Sequence, residues 1–529
     1  MNPLETEFVA LAGLVQQHTQ AAPSRVALIE GERKLDYAGL NAQMDRVAAA
    51  LQRDGVGPGR TVAICAAASI EYAAVFLGAL RAGAAVAPLA MGSTAVALRA
   101  MLQDCAASVL FLDAAAAAVL QGARVNAAAT NPEPMRVSLD GCAAGIALQD
   151  WLAAPGCTAK PTEIAPESAF NIIYSSGTTG APKGIVQSHA MRWAHVRRGV
   201  TYGYSPQTVT LLSTPLYSNT TLVVFVPTLA FGGTVVLMPK FDAAGYLALA
   251  QQHRVTHTML VPVQYQRLLA QPEFDLHDLS SFRVKFATSA PFSAALKADV
   301  LKRWPGQLIE FYGMTEGGGT CILEAHAHPD KLHTVGRPAE GHEIRLIDEA
   351  GNEVPVGAQG GAVGEVVGHS PSMMTGYHNQ PDKTREAEWF DVHGKRFIRT
   401  GDIGRFDAQG FLTLLDRRKD MIISGGFNIY PSDIETVLRE HPAVADAAVV
   451  GAVSQRWGET PVAFVVLRTG AAGPAQTSES AAVELLQWAN SRLAKTQRLR
   501  SVELIAELPR SAIGKVLKRE LRERLQVAD

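Results

Sequence analysis

Tyr174-Ser-Ser-Gly-Thr-Thr-Gly-Ala-Pro-Lys-Gly184 follows the apolar run Asn171-Ile-Ile-Tyr174, which predicts a buried strand. The glycines at 177, 180 and 184 let backbone approach an anion closely. Ser175, Ser176, Thr178 and Thr179 offer hydroxyls to phosphate oxygens, and Lys183 adds a positive charge. The stretch is not a Walker A loop, because Ala-Pro separates Gly180 from Lys183 and Gly184 follows the lysine. It predicts a phosphate-binding loop of another kind, set at the end of a strand.

Upstream, Thr61-Val-Ala-Ile-Cys65, Ala85-Val-Ala-Pro-Leu89 and Val109-Leu-Phe-Leu112 read as further buried strands. Ser69 to Ala82 reads as a helix with Ser69 as its N-cap. Continuous apolar strands alternating with helices predict α/β architecture, mainly parallel sheets covered by helices. The alanine run Ala114 to Ala118 predicts a surface helix, and 126–162, rich in Ala, Pro and Gly, predicts loop or weak structure. The texture changes at Asp416-Arg-Arg-Lys-Asp420. Beyond it lies a smaller α+β pattern: helices Pro431 to His441, Ser480 to Leu493 and Val516 to Leu525, and strands Ala447 to Val450, Val462 to Leu467 and Ser501 to Ala506. The expected domains are 1–416 and 417–529.

Of 529 residues, 47% are hydrophobic and 19% charged, which excludes a disordered chain. The net charge of −2 gives no electrostatic reason to expect nucleic acid or an anionic membrane as partner. Five cysteines without CxxC spacing argue against a zinc ribbon or disulfide framework and for a reduced, cytoplasmic protein. Neither end reads as a secretory signal, lipidation motif or peroxisomal address. Gly199 to Met238 carries no charge, but Pro227 and Gly232-Gly233 interrupt it, so it predicts a buried helix and the strand Thr234 to Met238 rather than a membrane span. A homodimer stays open.

Other stretches extend the first. Glu310-Phe-Tyr-Gly-Met-Thr-Glu316, Phe397-Ile-Arg-Thr-Gly-Asp402, Asp416-Arg-Arg-Lys-Asp-Met-Ile-Ile-Ser-Gly-Gly-Phe-Asn-Ile-Tyr-Pro431 and Pro509-Arg-Ser-Ala-Ile-Gly-Lys515 follow in this order. Together with 174–184 they resemble the signatures of the adenylate-forming superfamily: acyl-CoA synthetases, peptide-synthetase adenylation domains and luciferases. The resemblance spans essentially the whole chain and is strongest to acyl-CoA ligases.

The resemblance implies a large N-terminal domain holding ATP and the acyl pocket, and a mobile C-terminal domain carrying the catalytic Lys515. The loop 175–184 would hold phosphates, Glu316 would help bind Mg²⁺, and Thr315 would contact the α-phosphate. Tyr312 and Gly313, with Ser289, Ala290 and Pro291, would surround the adenine. Asp402 would accept from the ribose hydroxyls, with Arg417 in support. Lys419 occupies the hinge position, where some members carry Asp. Gly425 and Gly426 would leave room for the pantetheine arm of coenzyme A, near Trp457.

The chain departs from the family in places. Thr288-Ser-Ala-Pro291 replaces a usual Gly-Gly-Ala-Pro, Tyr217-Ser218 stands where aromatic-His is usual, and Phe427 where Glu is usual. The segment expected to line the acyl pocket, Tyr217 to Phe231, has no carboxylate for an amino acid's ammonium and no base for a second carboxylate. Gly318 and Gly319 read as open space at the pocket floor. These features favour an apolar monocarboxylic acid of medium or longer chain, with an aromatic or alicyclic acid next. An acyl-AMP ligase loading a separate carrier protein, a luciferase-like oxygenase and a non-catalytic nucleotide-binding regulator are the competing readings. The presence of both Lys515 and Glu316 speaks against the regulator.

Overall fold

The computed structural model describes residues 5–121, 132–175, 182–355, 362–424, 427–454, 457–468, 478–511 and 514–526. By contacts the chain divides into two units. The first comprises Met1–Leu332, Pro338–Glu343 and Gly368–Ile398; the second comprises His333–Arg337, Ile344–Val367 and Arg399–Asp529.

In the first unit one sheet runs Gly376–Tyr377, Lys183–Ser188, Ala169–Ser175, Ala85–Pro88, Thr61–Cys65, Val109–Leu112, Met135–Ser138, Ile146–Ala147. Its central strands are parallel and fully buried, as continuous apolar strands in an α/β layer must be. The helix Ile70–Arg81 starts where expected, with the Ser69 side chain accepting from Tyr72 N. A second sheet runs Thr320–Glu324, Gln307–Gly313, Val284–Ala287, His257–Leu260, Val209–Leu212, Thr234–Leu237, Val26–Glu30, Arg33–Asp36. The charge-free stretch supplies the helix Asn219–Ala230 and two strands, of which Val209–Leu212 was not anticipated. No helix among the described residues is long and apolar enough to cross a membrane.

The alanine run forms the expected helix, Ala114–Gln121, with Ala114, Ala115 and Ala118 exposed and Ala116, Ala117 and Leu120 packed into the core. Within 126–162, read from the sequence as loop or weak structure, the described part holds short ordered elements. Met135–Ser138 extends the sheet parallel to Val109–Leu112, and Trp151 packs edge-on against Phe111 at 5.1 Å. A four-residue strand of mixed residues carries too weak an alternation to be read from sequence.

The second unit contains the antiparallel pair Val444–Ser454 and Gly458–Leu467, with Ser501–Leu504 added parallel to the latter. The helices Pro431–Arg439 and Ser478–Asn490 contribute to its core beside Ile422, Val449 and Val465. The last helix is Lys518–Gln526, because Val516 instead bridges to Arg510.

The strand Gln307–Gly313 leads into the site and carries a buried charge pair. Lys297 Nζ lies 2.5 Å from Glu310 Oε2, with the two side chains 1% and 6% exposed. Desolvation raises the Glu310 pKa and the ammonium opposes it. Lys297→Met should strand the carboxylate and cost about 3–5 kcal/mol. Glu310 in the variant would then have a folded pKa above its unfolded one. The variant's stability should therefore fall as pH rises from the ordinary glutamate range through that raised pKa. The double variant Lys297→Met/Glu310→Leu should recover most of the loss. Thermal unfolding midpoints against pH for the three proteins check this.

Candidate active site

The first unit carries the candidate phosphate loop. Ala169–Ser175 pairs antiparallel with Lys183–Ser188, in a register that places Tyr174 opposite Gly184 and Ser175 opposite Lys183. The ends of the loop are thereby pinned together. Ser176, Gly177, Thr178, Thr179 and Gly180 lie outside the described residues. A Cβ on Gly184 would meet Ile172 Cγ2 at 2.9 Å and Tyr174 Cε1 at 3.0 Å, so close packing accounts for that glycine. Lys183 Nζ lies 5.3 Å from the centroid of the Tyr377 ring. The Tyr377 hydroxyl donates to Glu316 Oε1 at 2.8 Å. Lys183, Tyr377 and Glu316 thus form one contiguous group. Tyr377 escaped the sequence reading, since its two-residue strand is recognisable only from its pairing with Ile185.

The strand Gln307–Gly313 brings up Tyr312 and Gly313, and Thr315 and Glu316 follow in a turn. Thr315 is held from beneath. Its carbonyl accepts from Gln187 Nε2 at 2.7 Å, and Gln187 belongs to a buried polar network centred on Arg192. The Arg192 guanidinium donates to Asn171 Oδ1 at 2.8 and 3.1 Å, to Asn219 Oδ1 at 2.9 Å and to Gln187 Oε1. Burial lowers its pKa to about 9. Sequence reading missed this network. Its signal in the strands was a polar residue among apolar ones, Asn171 and Gln187; Arg192 lies in a helix with several other basic residues and gave none.

The departures from the family pattern find partners. Ser289 adopts φ +79°, a left-handed conformation that a glycine accepts without strain. Its Oγ hydrogen-bonds to Thr220 Oγ1 at 2.7 Å, and Thr288 Oγ1 donates to the Phe311 carbonyl at 2.8 Å. Ala290 and the neighbouring Pro291 follow directly. Ser218 is the N-cap of Asn219–Ala230, its Oγ accepting from Thr220 N at 3.3 Å. Tyr217 beside it is half-buried.

The open-space reading at Gly318 fails. A Cβ there would lie 2.5 Å from Ile398 Cβ and 3.3 Å from the Gly368 carbonyl oxygen. Gly317, at φ +72°, is packed against the Ser372 carbonyl. Gly319 is buried at φ +87°. These glycines let the turn dock on 368–374. The charge-free window also stops one residue short of Arg198, whose guanidinium carbon lies 4.7 Å from the Phe311 ring centroid.

In the second unit Asp402 and Arg417 face each other across paired strands, with Nε 3.1 Å from Oδ1. Lys419 is exposed, and partial desolvation lowers its pKa. Its neighbours are anchored: Arg418 to Glu365 at 3.0 Å and Asp420 to Arg522 at 2.8 Å. Lys515 stands exposed on a tight turn in which Ser511 N donates to its carbonyl at 2.8 Å and Gly514 takes φ +76°. Trp457 is 49% exposed and Phe427 61%, so neither is a core residue. Gly425 and Gly426 lie outside the described residues.

The family profile described as "AMP-binding enzyme" matches residues 15–378, and "AMP-binding enzyme C-terminal domain" matches 433–515. An indoleacetate–CoA ligase of Aromatoleum aromaticum is 33% identical over 525 residues, covering 97% of this chain and 98% of that one. The long-chain-fatty-acid–CoA ligase FadD13 of Mycobacterium tuberculosis is 31% identical over 523 residues, covering 96% and 97%. The structure of the amide bond synthetase McbA from Marinactinospora thermotolerans superposes with a TM-score of 0.82 at 29% identity, covering 97% of this chain and 99% of that one. With both profiles matched in order and relatives aligned end to end, the chain belongs to the AMP-binding enzyme family of the adenylate-forming superfamily and is an AMP-forming acid–thiol ligase.

Proposed function

We propose that the enzyme activates an organic acid with an apolar body as its acyl-adenylate and then forms the coenzyme A thioester. The contact of Lys183, Tyr377 and Glu316 beside the phosphate loop carries this reading. In the first step the carboxylate attacks the α-phosphorus of ATP and the bond to pyrophosphate breaks. Charge spreads over the transferring phosphate, so donors fixed beforehand lower the barrier. The loop 175–184 holds the leaving phosphates and Thr315 contacts the α-phosphate, on a backbone that Gln187 keeps in place. Tyr312 and Gly313 lie against the adenine with Ser289, Ala290 and Pro291. Asp402, oriented by Arg417, accepts from the ribose diol. Lys515 neutralises the carboxylate and α-phosphate.

Glu316 suits Mg²⁺. One of its oxygens accepts from Tyr377, and the other has no partner among the described residues. A small hard cation held by one carboxylate, phosphate oxygens and water fits that donor set. Bound there, it would neutralise phosphate charge.

In the second step the domain beginning near 417 turns about Lys419 and the thiolate of coenzyme A displaces AMP. Gly425 and Gly426 leave room for the pantetheine arm, and the exposure of Trp457 favours a place beside it over a place in the core. The names of the two ligase relatives support coenzyme A as the thiol and admit either an aliphatic or an aromatic body for the acid. Five free cysteines fit a reducing cytoplasm.

Pyrophosphate release from a panel of acids, with and without coenzyme A, tests the whole reading. Lys515→Ala should slow adenylation by about 10²–10³ while sparing thioester formation from supplied adenylate, measured by single-turnover assays of each half-reaction. Lys419→Pro fixes φ, so adenylate should still form while thioester production stalls, visible as bound acyl-adenylate in rapid-quench experiments. Tyr377→Phe removes the donor to Glu316. Adenylation should fall about tenfold and require more magnesium for half-maximal rate, as a magnesium titration would show.

A further inference from the structure

The helix His189–Gly199 presents Arg192, His195 and Arg198 three residues apart, on one face. Its lower end is fully satisfied: Arg192 is held by the amides of Asn171, Gln187 and Asn219, and through Gln187 it reaches the Thr315 carbonyl. Its upper end is not. Arg198 has the face of Phe311 at 4.7 Å, but among the described residues it has no carboxylate at ion-pair distance and no hydrogen-bond acceptor. Arg198 keeps part of its contact with water, and the aromatic ring beside it supplies no hydrogen-bond acceptor.

Arg198 is not sealed into the core. It keeps some accessible surface, as do Phe311, Ile322 on the adjoining strand, and Tyr217. The guanidinium therefore stays reachable beside partly exposed aromatic and aliphatic side chains. Two histidines share its surroundings. His342 Nδ1 is buried without a partner among the described residues. Burial, and then the charge of Arg198, lowers the pKa of His342 to about 4 and holds His195 well below its usual range. The group thus offers one positive charge and neutral ring nitrogens, and nothing acidic answers it.

Position gives this group a role. The same helix face supports Thr315 at one end, where the carboxylate to be activated must lie. It reaches Phe311 at the other, a six-residue rise of about 9 Å. A substrate extending from the α-phosphate along this face would bring its far end to Arg198.

We propose that Arg198, with His195 and His342, forms a specificity subsite for a second carboxylate at the end of the substrate remote from the one activated. The proposal rests on the ligase reading above and narrows it from acids with an apolar body to those that also end in a second acid group. The planar guanidinium matches a carboxylate with two parallel N–H donors, which a lysine could not do.

The test is ATP–pyrophosphate exchange with matched acids, aliphatic and aromatic, that differ only at the far end: methyl, hydroxyl or carboxylate. The wild-type enzyme should favour the carboxylate-ended acid by roughly ten- to a hundredfold in kcat/KM, the scale of one hydrogen bond to a charged group. Arg198→Met should bring the carboxylate-to-methyl ratio to about one, and Arg198→Lys should leave it in between. A wild-type preference for methyl or hydroxyl ends overturns the subsite while leaving the ligase reading standing, and it can be read without any variant. An unchanged ratio in Arg198→Met also overturns it. Absence of exchange with every acid overturns the ligase reading and the subsite together.

Discussion

The buried Arg192 guanidinium is the constraint on which the active-site framework depends. It is 2% exposed and has no carboxylate partner; neutral amides from three separate elements satisfy its donors. Removing it from water is tolerable only if Asn171, Gln187 and Asn219 all stay in place. Those residues lie on the strand entering the phosphate loop, on the strand leaving it, and at the start of the helix Asn219–Ala230. One hydrogen-bonding demand thus fixes the loop ends, a helix N-terminus and, through Gln187, the backbone of Thr315. A polar network of this kind specifies one arrangement where an apolar core of equal volume would tolerate several.

The family departures follow the same logic of internal satisfaction. Hydroxyls at 288 and 289, where glycines are usual, bond to the Phe311 carbonyl and to Thr220. The serine at 218 caps a helix. Each polar replacement has a hydrogen-bond partner, and Ser289 still keeps the left-handed backbone that suits a glycine. Gly317 and Gly318 serve close backbone approach instead of cavity volume, because carbonyls and Ile398 occupy the space a side chain would need.

In the second unit charges are arranged as pairs beside the expected pivot. Arg399 and Arg418 share Glu365, and Asp420 holds Arg522. Lys518 bonds Glu435 at 2.9 Å, and nearby Asp416 helps to raise its pKa. Lys419 sits between anchored neighbours and is itself exposed. A single residue flanked by fixed points is where a rotation of backbone dihedrals disturbs least.

The sequence by itself determined the class of fold, the buried strands such as Thr61–Cys65, the Ser69 cap and the order of the motifs. These depend on local periodicity and on residue types with one strong chemical use, and both survive in one dimension. It could not reveal Tyr377 beside Glu316, Arg192 beneath Thr315 or Arg198 over Phe311. Those partners are separated by 61, 123 and 113 positions along the chain, and no local pattern marks them. It also misjudged Gly318, since a missing side chain reads as empty space until the neighbour that fills it is known. Tertiary structure decided these points because a buried charge or a close backbone contact is defined by what surrounds it, and those surroundings come from distant parts of the chain.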